Sequence, residues 1–274
     1  MPVFKPYFQK HIFLPQDHGS WVFVFTPILA GLALSGDFTL AKLPIIGAAI
    51  AFFLARQPLT VIVKVFAGRR ERHDLTPALV WAMVYGCLLL AALIGLWVLG
   101  QAYVLQVMIV PALAMLAWQF WMLAQRAERK QRTFEVLSTG LLAFIAPAIL
   151  WAGGTPFTRE GLLLWLLLFL QAGASIYYAY TRLDQRGWRV LPQRSVVLAG
   201  SYGTIAFSVF NLLLVAGLGW LGWVGPWLWA AFLPLLLEGM YATLKPVIGA
   251  KPTEIGFRAT ALSVVFLGML VWLW

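Results

Sequence analysis

The chain has 274 residues, of which 62% are hydrophobic and only 11% are charged, whereas a soluble domain has about 25% charged residues. Its net charge is +10 and it contains one cysteine, Cys87. This composition excludes a soluble globular domain, and a single cysteine excludes an intrachain disulfide or a cysteine-based metal site. Lysine and arginine accumulate in the cytoplasmic loops of membrane proteins, so the positive charge does not indicate a partner nucleic acid.

Nine apolar stretches follow one another along the chain, at approximately 20–36, 39–56, 76–99, 101–124, 136–153, 161–181, 195–218, 223–243 and 256–274. A transmembrane helix needs about 20 mostly apolar residues. The pattern therefore predicts an all-α, polytopic transmembrane bundle of about nine helices, with residues 1–274 as a single transmembrane domain. The polar segment from Met1 to His11 has no cleavage-site pattern, and we expect it to belong to the mature protein.

The basic residues give this bundle an orientation. With the N-terminus in the cytoplasm, every lysine and arginine except Lys42 and Arg159 falls on the inner side of the nine-helix arrangement. Because basic residues favour the inner side, the sequence predicts a cytoplasmic N-terminus and an outside C-terminus.

Local signals mark several helix ends. Asp74 and Pro77 predict a capped helix start, Glu135 is expected to open the fifth helix, and Gly153 and Gly154 are expected to follow its end. Tryptophans near the ends of the stretches are expected at the membrane interfaces, among them Trp97, Trp151, Trp220 and Trp272.

A compact polar segment, residues 14–21, lies directly before the first apolar stretch. Asp17 and His18 are candidates for an acid–base or proton-transfer pair. The alternative is that Asp17 or Ser20 caps the first helix by accepting hydrogen bonds from backbone N–H groups. Both interpretations are compatible with the residues.

A second polar region follows the second stretch. Arg56 precedes Gln57 and Pro58, and this pattern predicts that the helix breaks there, at the membrane edge, before an interfacial segment. Arg56 and Lys64 are candidates for binding an anionic headgroup or a diphosphate. The alternative is ordinary positive charge on the inner side.

The sixth stretch carries a polar stripe. Gln171, Ser175, Tyr178 and Arg182 are spaced by four, three and four residues, which places them on one helical face, and Asp184 follows. Such a stripe faces either a wet cavity or hydrogen-bonding partners on other helices. Outside this stripe, Asn211, Gln119 and Glu238 are expected to be structural.

Three short motifs resemble the YwiC-like family of bacterial integral membrane proteins. They are Pro15-Gln16-Asp17-His18-Gly19-Ser20-Trp21 with Pro27 and Gly31, then Arg56-Gln57-Pro58-Leu59, and finally Ile255-Gly256-Phe257-Arg258. The resemblance implies a multi-pass protein of the bacterial plasma (inner) membrane.

The layout also resembles the UbiA superfamily of intramembrane prenyltransferases, which have nine helices and polar motifs after helices 2 and 6. Asp184 lies where those enzymes carry their second Asp-rich motif. The chain departs from them because the first region has no acidic residue before Glu71 and the second has Asp184 alone. Mg²⁺ is bound through several oxygen ligands, so no cofactor and no metal site are predicted.

Three functions are compatible with these features. The favoured one is a diverged UbiA-like protein that binds an isoprenoid or other amphipathic ligand in a cytoplasm-facing cavity. The others are a small-solute transporter and a non-catalytic membrane subunit or scaffold. Membrane lipids are expected partners, nucleic acid is not, and no protein partner is indicated.

The favoured function assigns roles to the polar residues. The ligand-binding candidates are Arg56, Lys64, Gln171, Ser175, Tyr178 and Arg182. His18, Asp17 and Asp184 are the candidates for proton transfer if the protein is a prenyltransferase-like enzyme, a question that the sequence leaves open. We expect His18, Arg56 and Arg182 to point into one cavity.

Overall fold

The computed structural model of the chain describes residues 8–15, 18–124 and 132–274, without the side chains of His18, Leu105, Leu123 and Ala124. In these ranges the chain forms α-helices, 3₁₀ turns and loops, and no strand. The helices are α1 (Lys10–Phe13), α2 (Val22–Leu34), α3 (Lys42–Phe66), α4 (Leu75–Val98), α5 (Ala102–Ala124), α6 (Arg132–Ala143), α7 (Ile145–Trp151), α8 (Arg159–Arg186), α9 (Arg194–Trp220), α10 (Leu233–Leu244) and α11 (Pro252–Leu273).

Each predicted apolar stretch contains a helix. Seven helical segments in the described ranges have the length and composition to cross a membrane: Lys42–Phe66, Arg72–Val98, Ala102–Met122, Arg132–Trp151, Arg159–Arg186, Arg194–Trp220 and Pro252–Leu273. Two shorter apolar helical segments, Gly19–Leu34 and Leu228–Leu244, match the first and eighth stretches. The prediction of an all-α, multi-pass membrane protein is confirmed.

Helix α8 is the centre of the bundle. It packs against α6, α7, α9, α10 and α11. In the most apolar 18-residue segment of α8, 67% of the residues are buried, compared with 11% in the corresponding segment of α4 and 6% in that of α5. Polar side chains in the buried middle of α8 therefore face protein, whereas α4 and α5 present most of their surface to the surroundings of the bundle.

Small residues allow close contacts around this centre. A Cβ atom at Gly31 would lie 2.7 Å from the carbonyl oxygen of Ala146, and one at Gly161 would overlap the indole of Trp151. Trp151 is 2% exposed, and its Nε1–H donates to Thr158 Oγ1 at 2.9 Å. The ring of Trp151 is enclosed by protein because Gly161 leaves room for it, and its position relative to the membrane interface stays a prediction.

Helix α3 does not end at Arg56. It continues to Phe66 with Pro58 inside it, so the predicted break after Arg56 is wrong. Proline removes only one backbone hydrogen bond, and α3 is held along its length by α4 and α1. The helix is terminated instead by Gly68, which lies two residues after Phe66 and has a φ of +66°. Its N–H bonds to Val65 while that of Arg69 bonds to Lys64, the Schellman pattern that favours glycine.

The N-terminal segment docks on this extended helix. Ile12 of α1 is fully buried against Val61, Val65 and Ala78. Gln57 Nε2 donates to the carbonyl oxygen of His11 at 2.7 Å. Gln57, expected at a helix break, thus holds the N-terminal segment in place.

The other predicted helix ends lie close to their expected positions. Helix α4 begins at Leu75, although the Asp74 side chain makes no cap hydrogen bond and accepts from Arg70 Nε instead. Glu135 lies in the first turn of α6. Helix α7 ends at Trp151, before Gly153 with its φ of +86°.

Candidate functional site

A cavity of about 510 Å³ lies between α2, α6, α8 and α11. It is lined from the α2 side by Gly19, Val22 and Phe23, from α6 by Glu135, from α8 by Ser175, Ile176, Ala179, Tyr180 and Leu183, and from α11 by Pro252, Thr253, Ile255, Gly256, Ala259 and Thr260. These residues come from the start of α2, α6 and α11 and the end of α8. The cavity is thus at the end of the bundle that the basic residues predict to be cytoplasmic.

The wall of this cavity is apolar and its rim is polar. Small residues on α11 at spacings of three and one, Gly256, Ala259 and Thr260, leave space that larger side chains would fill. Glu135 and Tyr180 are the ionisable side chains of the lining. Tyr180 Oη donates to Glu135 Oε1 at 2.8 Å, so a carboxylate and a phenol lie together in the lining.

An ion pair across α6 and α8 adjoins this rim. Arg132 Nη2 is 2.7 Å from Asp184 Oδ2, and both side chains are a little more than one-third exposed. The guanidinium of Arg132 also lies 4.8 Å from the centre of the Tyr180 ring. Asp184, a predicted proton-transfer residue, is therefore one partner of a solvent-accessible ion pair beside the cavity.

A second, water-sized cavity of about 20 Å³ lies deeper. Val22 and Phe23 line both cavities, while Thr26, Gln171 and Ser263 are among the residues that line only the deeper one. Gln171 is 3% exposed, and neither Nε2 nor Oε1 of its carboxamide has a hydrogen-bonding partner among the described residues. This side chain is a polar group with unused hydrogen-bonding capacity next to an empty space.

Tyr178 and Arg182 contact a different part of the protein. Arg182 is 3% exposed, and its Nη2 is 3.2 Å from Glu238 Oε1, which also accepts from Tyr178 Oη at 2.9 Å. Arg182 Nη1 donates to the carbonyl oxygen of Lys245 at 3.1 Å, just past the last residue of α10. This arginine joins α8 to α10 and does not line either cavity.

The predicted polar stripe of α8 thus lies at the border between two faces. Successive residues of an α-helix are about 100° apart, which places Ile176, Ala179 and Tyr180 on the cavity side and Tyr178 and Arg182 roughly one-third of a turn away. Ser175 lies between these groups and lines the large cavity. The spacing predicted a shared face, but it does not distinguish a cavity from a neighbouring helix.

The two predicted ligand-binding residues on α3, Arg56 and Lys64, lie away from both cavities. Arg56 and Lys64 are half-buried on a helix whose main neighbours are α4, α5, α1 and α7, and neither lines the two cavities described above. The predicted meeting of Arg56 and Arg182 in one cavity is not found. Asp17 and the side chain of His18 lie outside the described residues, so their roles stay predictions. Gly19, next to His18, does line the large cavity.

Sequence reasoning did not select Glu135 or the small residues of α11 as site residues. Glu135 was interpreted only as a charge that favours a helix N-terminus. Its partner Tyr180 is 45 residues away, so no local spacing reveals the pair. The signal that was available is the spacing of small residues on one face of α11.

Comparison with known proteins gives one family. The family model described as YwiC-like protein matches residues 14–149, about half of the chain, from the polar segment before α2 into α7. No curated protein and no solved structure matches the chain. The matched region includes the α2 and α6 walls of the large cavity, and α8 and α11 lie beyond it.

Proposed function

We propose that this chain, which belongs to the YwiC-like family over residues 14–149, binds an amphipathic ligand of isoprenoid type in the large cavity between α2, α6, α8 and α11. The observation that carries this proposal is the combination of an apolar wall and a polar rim in one space of about 510 Å³. Small-molecule sites usually have about 300–1,000 Å³, with mostly apolar walls and a few polar groups.

The wall suits a hydrocarbon chain. Val22, Phe23, Ile176, Ala179 and Ala259 present only apolar side-chain atoms to the cavity. Placing a hydrocarbon against such a surface gains about 25 cal/mol for each Å² removed from water. An isoprenoid or acyl chain would therefore lie along α8 and α11.

The rim suits a head that donates hydrogen bonds. The Glu135 carboxylate accepts hydrogen bonds only, and Thr253 and Thr260 add hydroxyl groups. A hydroxyl or amine head matches this set better than a phosphate does. In this proposal, Arg182 has a structural role through Glu238, and the anion-binding roles predicted for Arg56 and Lys64 are not required.

The direction of the opening and the location of the protein are also part of the proposal. The distribution of basic residues favours a cavity open to the cytoplasm, and the family favours the bacterial plasma membrane. The UbiA-like arrangement is retained as the structural analogy for a ligand entering between helices, without assigning prenyl transfer to this chain.

Filling the cavity tests the proposal. A Cβ atom added at Gly256 meets nothing within 4 Å, so Gly256→Phe projects a ring into the cavity without a backbone clash. Gly268 is the matched control, because it is on the same helix, is equally unobstructed and does not line the cavity.

The measurement is the thermal shift of purified, delipidated protein in detergent on addition of geranylgeraniol. We expect a rise in Tm for the wild type and for Gly268→Phe, and a rise that is reduced by at least half for Gly256→Phe. An equal shift in all three proteins would show that the alcohol acts through the outer surface and would reject the cavity as its site.

A further inference from the structure

The carboxamide of Gln171 is a buried group without a hydrogen-bonding partner among the residues that the structure describes. It is 3% exposed, and both its donor and its acceptor lack a hydrogen bond among the described residues. Buried polar side chains in folded proteins almost always have a partner, either protein or ordered water. A partner outside the polypeptide is therefore expected at this position.

The space beside Gln171 fits one hydroxyl group. The deeper cavity has about 20 Å³, and a cavity needs about 10–15 Å³ on this measure to hold one water molecule. Ser263, on the same cavity, donates its hydroxyl hydrogen to the carbonyl oxygen of Ala259 at 3.0 Å. Because its hydrogen is used in this bond, the Ser263 hydroxyl can only accept a hydrogen bond from a further partner, through the lone pairs on its oxygen.

These groups give a hydroxyl the partners that it needs. A guest –OH can accept a hydrogen bond from Gln171 Nε2–H and donate its own hydrogen to Gln171 Oε1 or to Ser263 Oγ. A guest water has a second hydrogen and can use both acceptors. Buried waters typically make two to four hydrogen bonds, and the donor and acceptor of Gln171 together with the acceptor of Ser263 can supply that many.

The small cavity adjoins the large one. Val22 and Phe23 line both spaces, so the two cavities share this part of their wall, and only these side chains would need to move for a ligand in the large cavity to reach Gln171. Tyr180, at the rim, is nine residues from Gln171 on α8, which is about 13 Å along the helix axis. A chain of about ten carbons has a similar extended length.

We propose that Gln171 and Ser263 form a binding subsite for one hydroxyl group at the inner end of the cavity. The hydroxyl comes either from a bound water or from the far end of an amphipathic ligand. The second source rests on the proposed function, whereas the first does not.

Two probes of equal chain length test whether a bound ligand supplies the hydroxyl group. The affinities of 1-decanol and 1,10-decanediol are measured on the purified full-length protein in detergent by thermal shift titration. If the diol supplies the hydroxyl, it binds the wild type about fivefold more tightly than decanol does, as expected for one net hydrogen bond. The advantage is lost in Gln171→Met and kept in Ser208→Ala, a buried serine that does not line either cavity.

Whether a bound water supplies the hydroxyl group is tested by measuring the Tm of delipidated protein without added alcohol, together with the alcohol affinities. If a water occupies the subsite, Gln171→Met and Ser263→Ala each lower Tm by a few degrees, and decanol and decanediol bind equally. If Gln171→Met leaves Tm unchanged or raises it, and the two alcohols bind equally, the carboxamide has no partner and the proposal is wrong. If neither alcohol binds the wild type, the ligand source is rejected for these probes, and the Tm comparison alone decides whether the subsite exists.

Discussion

The buried guanidinium of Arg182 pairs with the 21% exposed carboxylate of Glu238 and joins α8 to α10, with Arg182 Nη2 3.2 Å from Glu238 Oε1. The same carboxylate oxygen accepts from Arg258 Nη1 at 3.1 Å, but Arg258 is 53% exposed whereas Arg182 is 3% exposed. One carboxylate thus has a buried cationic partner and an exposed one, which allows the two to be compared directly.

Removal of Glu238 should destabilise the protein strongly. Glu238→Gln leaves the buried guanidinium of Arg182 without its counter-charge, and breaking a buried pair in this way costs about 3–5 kcal/mol. Arg258→Gln removes an exposed partner and should cost about 1 kcal/mol or less. The measurement is unfolding of the detergent-solubilised protein followed by circular dichroism. Equal effects of the two substitutions would contradict a structural role for the Arg182–Glu238 pair.

The contact between Gly161 and Trp151 should also be sensitive to substitution. A Cβ atom at position 161 would overlap the indole ring, which is buried on all sides and cannot move without disturbing α7 and α8. Gly161→Ala should therefore lower the free energy of unfolding by about 1–3 kcal/mol. Gly200→Ala is the control, since nothing lies within 4 Å of its added Cβ and alanine favours a helix by up to about 1 kcal/mol. A neutral Gly161→Ala would show that the indole has room to shift.

Lys42 should stabilise the loop between α2 and α3. Its side chain is fully buried and its ammonium group pairs with the Asp37 carboxylate. The same group donates to Ser35 Oγ at 2.8 Å. Lys42→Met keeps the length of the side chain but removes these bonds, and a hydrogen bond to a charged group has a net contribution of about 1.5–3 kcal/mol. We expect a Tm decrease of several degrees for Lys42→Met and little change for Lys251→Met, at an exposed position. An equal decrease in Tm in both variants would show that the loss of one positive charge, and not the contacts of Lys42 with Asp37 and Ser35, lowers the stability.

The docking of the N-terminal segment can be tested without a change in global stability. Tyr85 Oη donates to the carbonyl oxygen of Phe13 at 2.9 Å, and Tyr85→Phe removes only that bond. Hydrogen exchange of residues 10–14 should become about two- to twelvefold faster, because one net hydrogen bond is worth about 0.5–1.5 kcal/mol. Exchange in the core of α8 should be unchanged. Faster exchange in both regions would mean that Tyr85 supports the whole bundle.

The helices in the nine apolar stretches followed from hydropathy, whereas the contacts of their polar residues did not. The sequence placed a helix over every apolar stretch because about 20 apolar residues in a row have few other stable forms in a membrane. The predicted helix break at Pro58 was wrong, because the packing of α3 against α4 and α1 outweighs one lost hydrogen bond. The sequence grouped Gln171 with Arg182, which share a stripe but have different neighbours. Helical spacing specifies a face, and only the arrangement of α2, α10 and α11 around α8 specifies what that face contacts.

The orientation of the bundle is a prediction that cysteine labelling can decide. Cys87 is first replaced by serine, because it is exposed and would otherwise react. A single cysteine is then introduced at Lys251, at the end that carries the cavity, or at Phe157, at the opposite end; both positions are exposed.

Intact cells are treated with a membrane-impermeant maleimide. If basic residues set the orientation, the Phe157→Cys protein is labelled in intact cells, and the Lys251→Cys protein is labelled only after the membrane is permeabilised. The reverse pattern would place the cavity outside the cell. Its ligand would then come from the outer side, and the asymmetry of lysine and arginine between the two ends would need another cause.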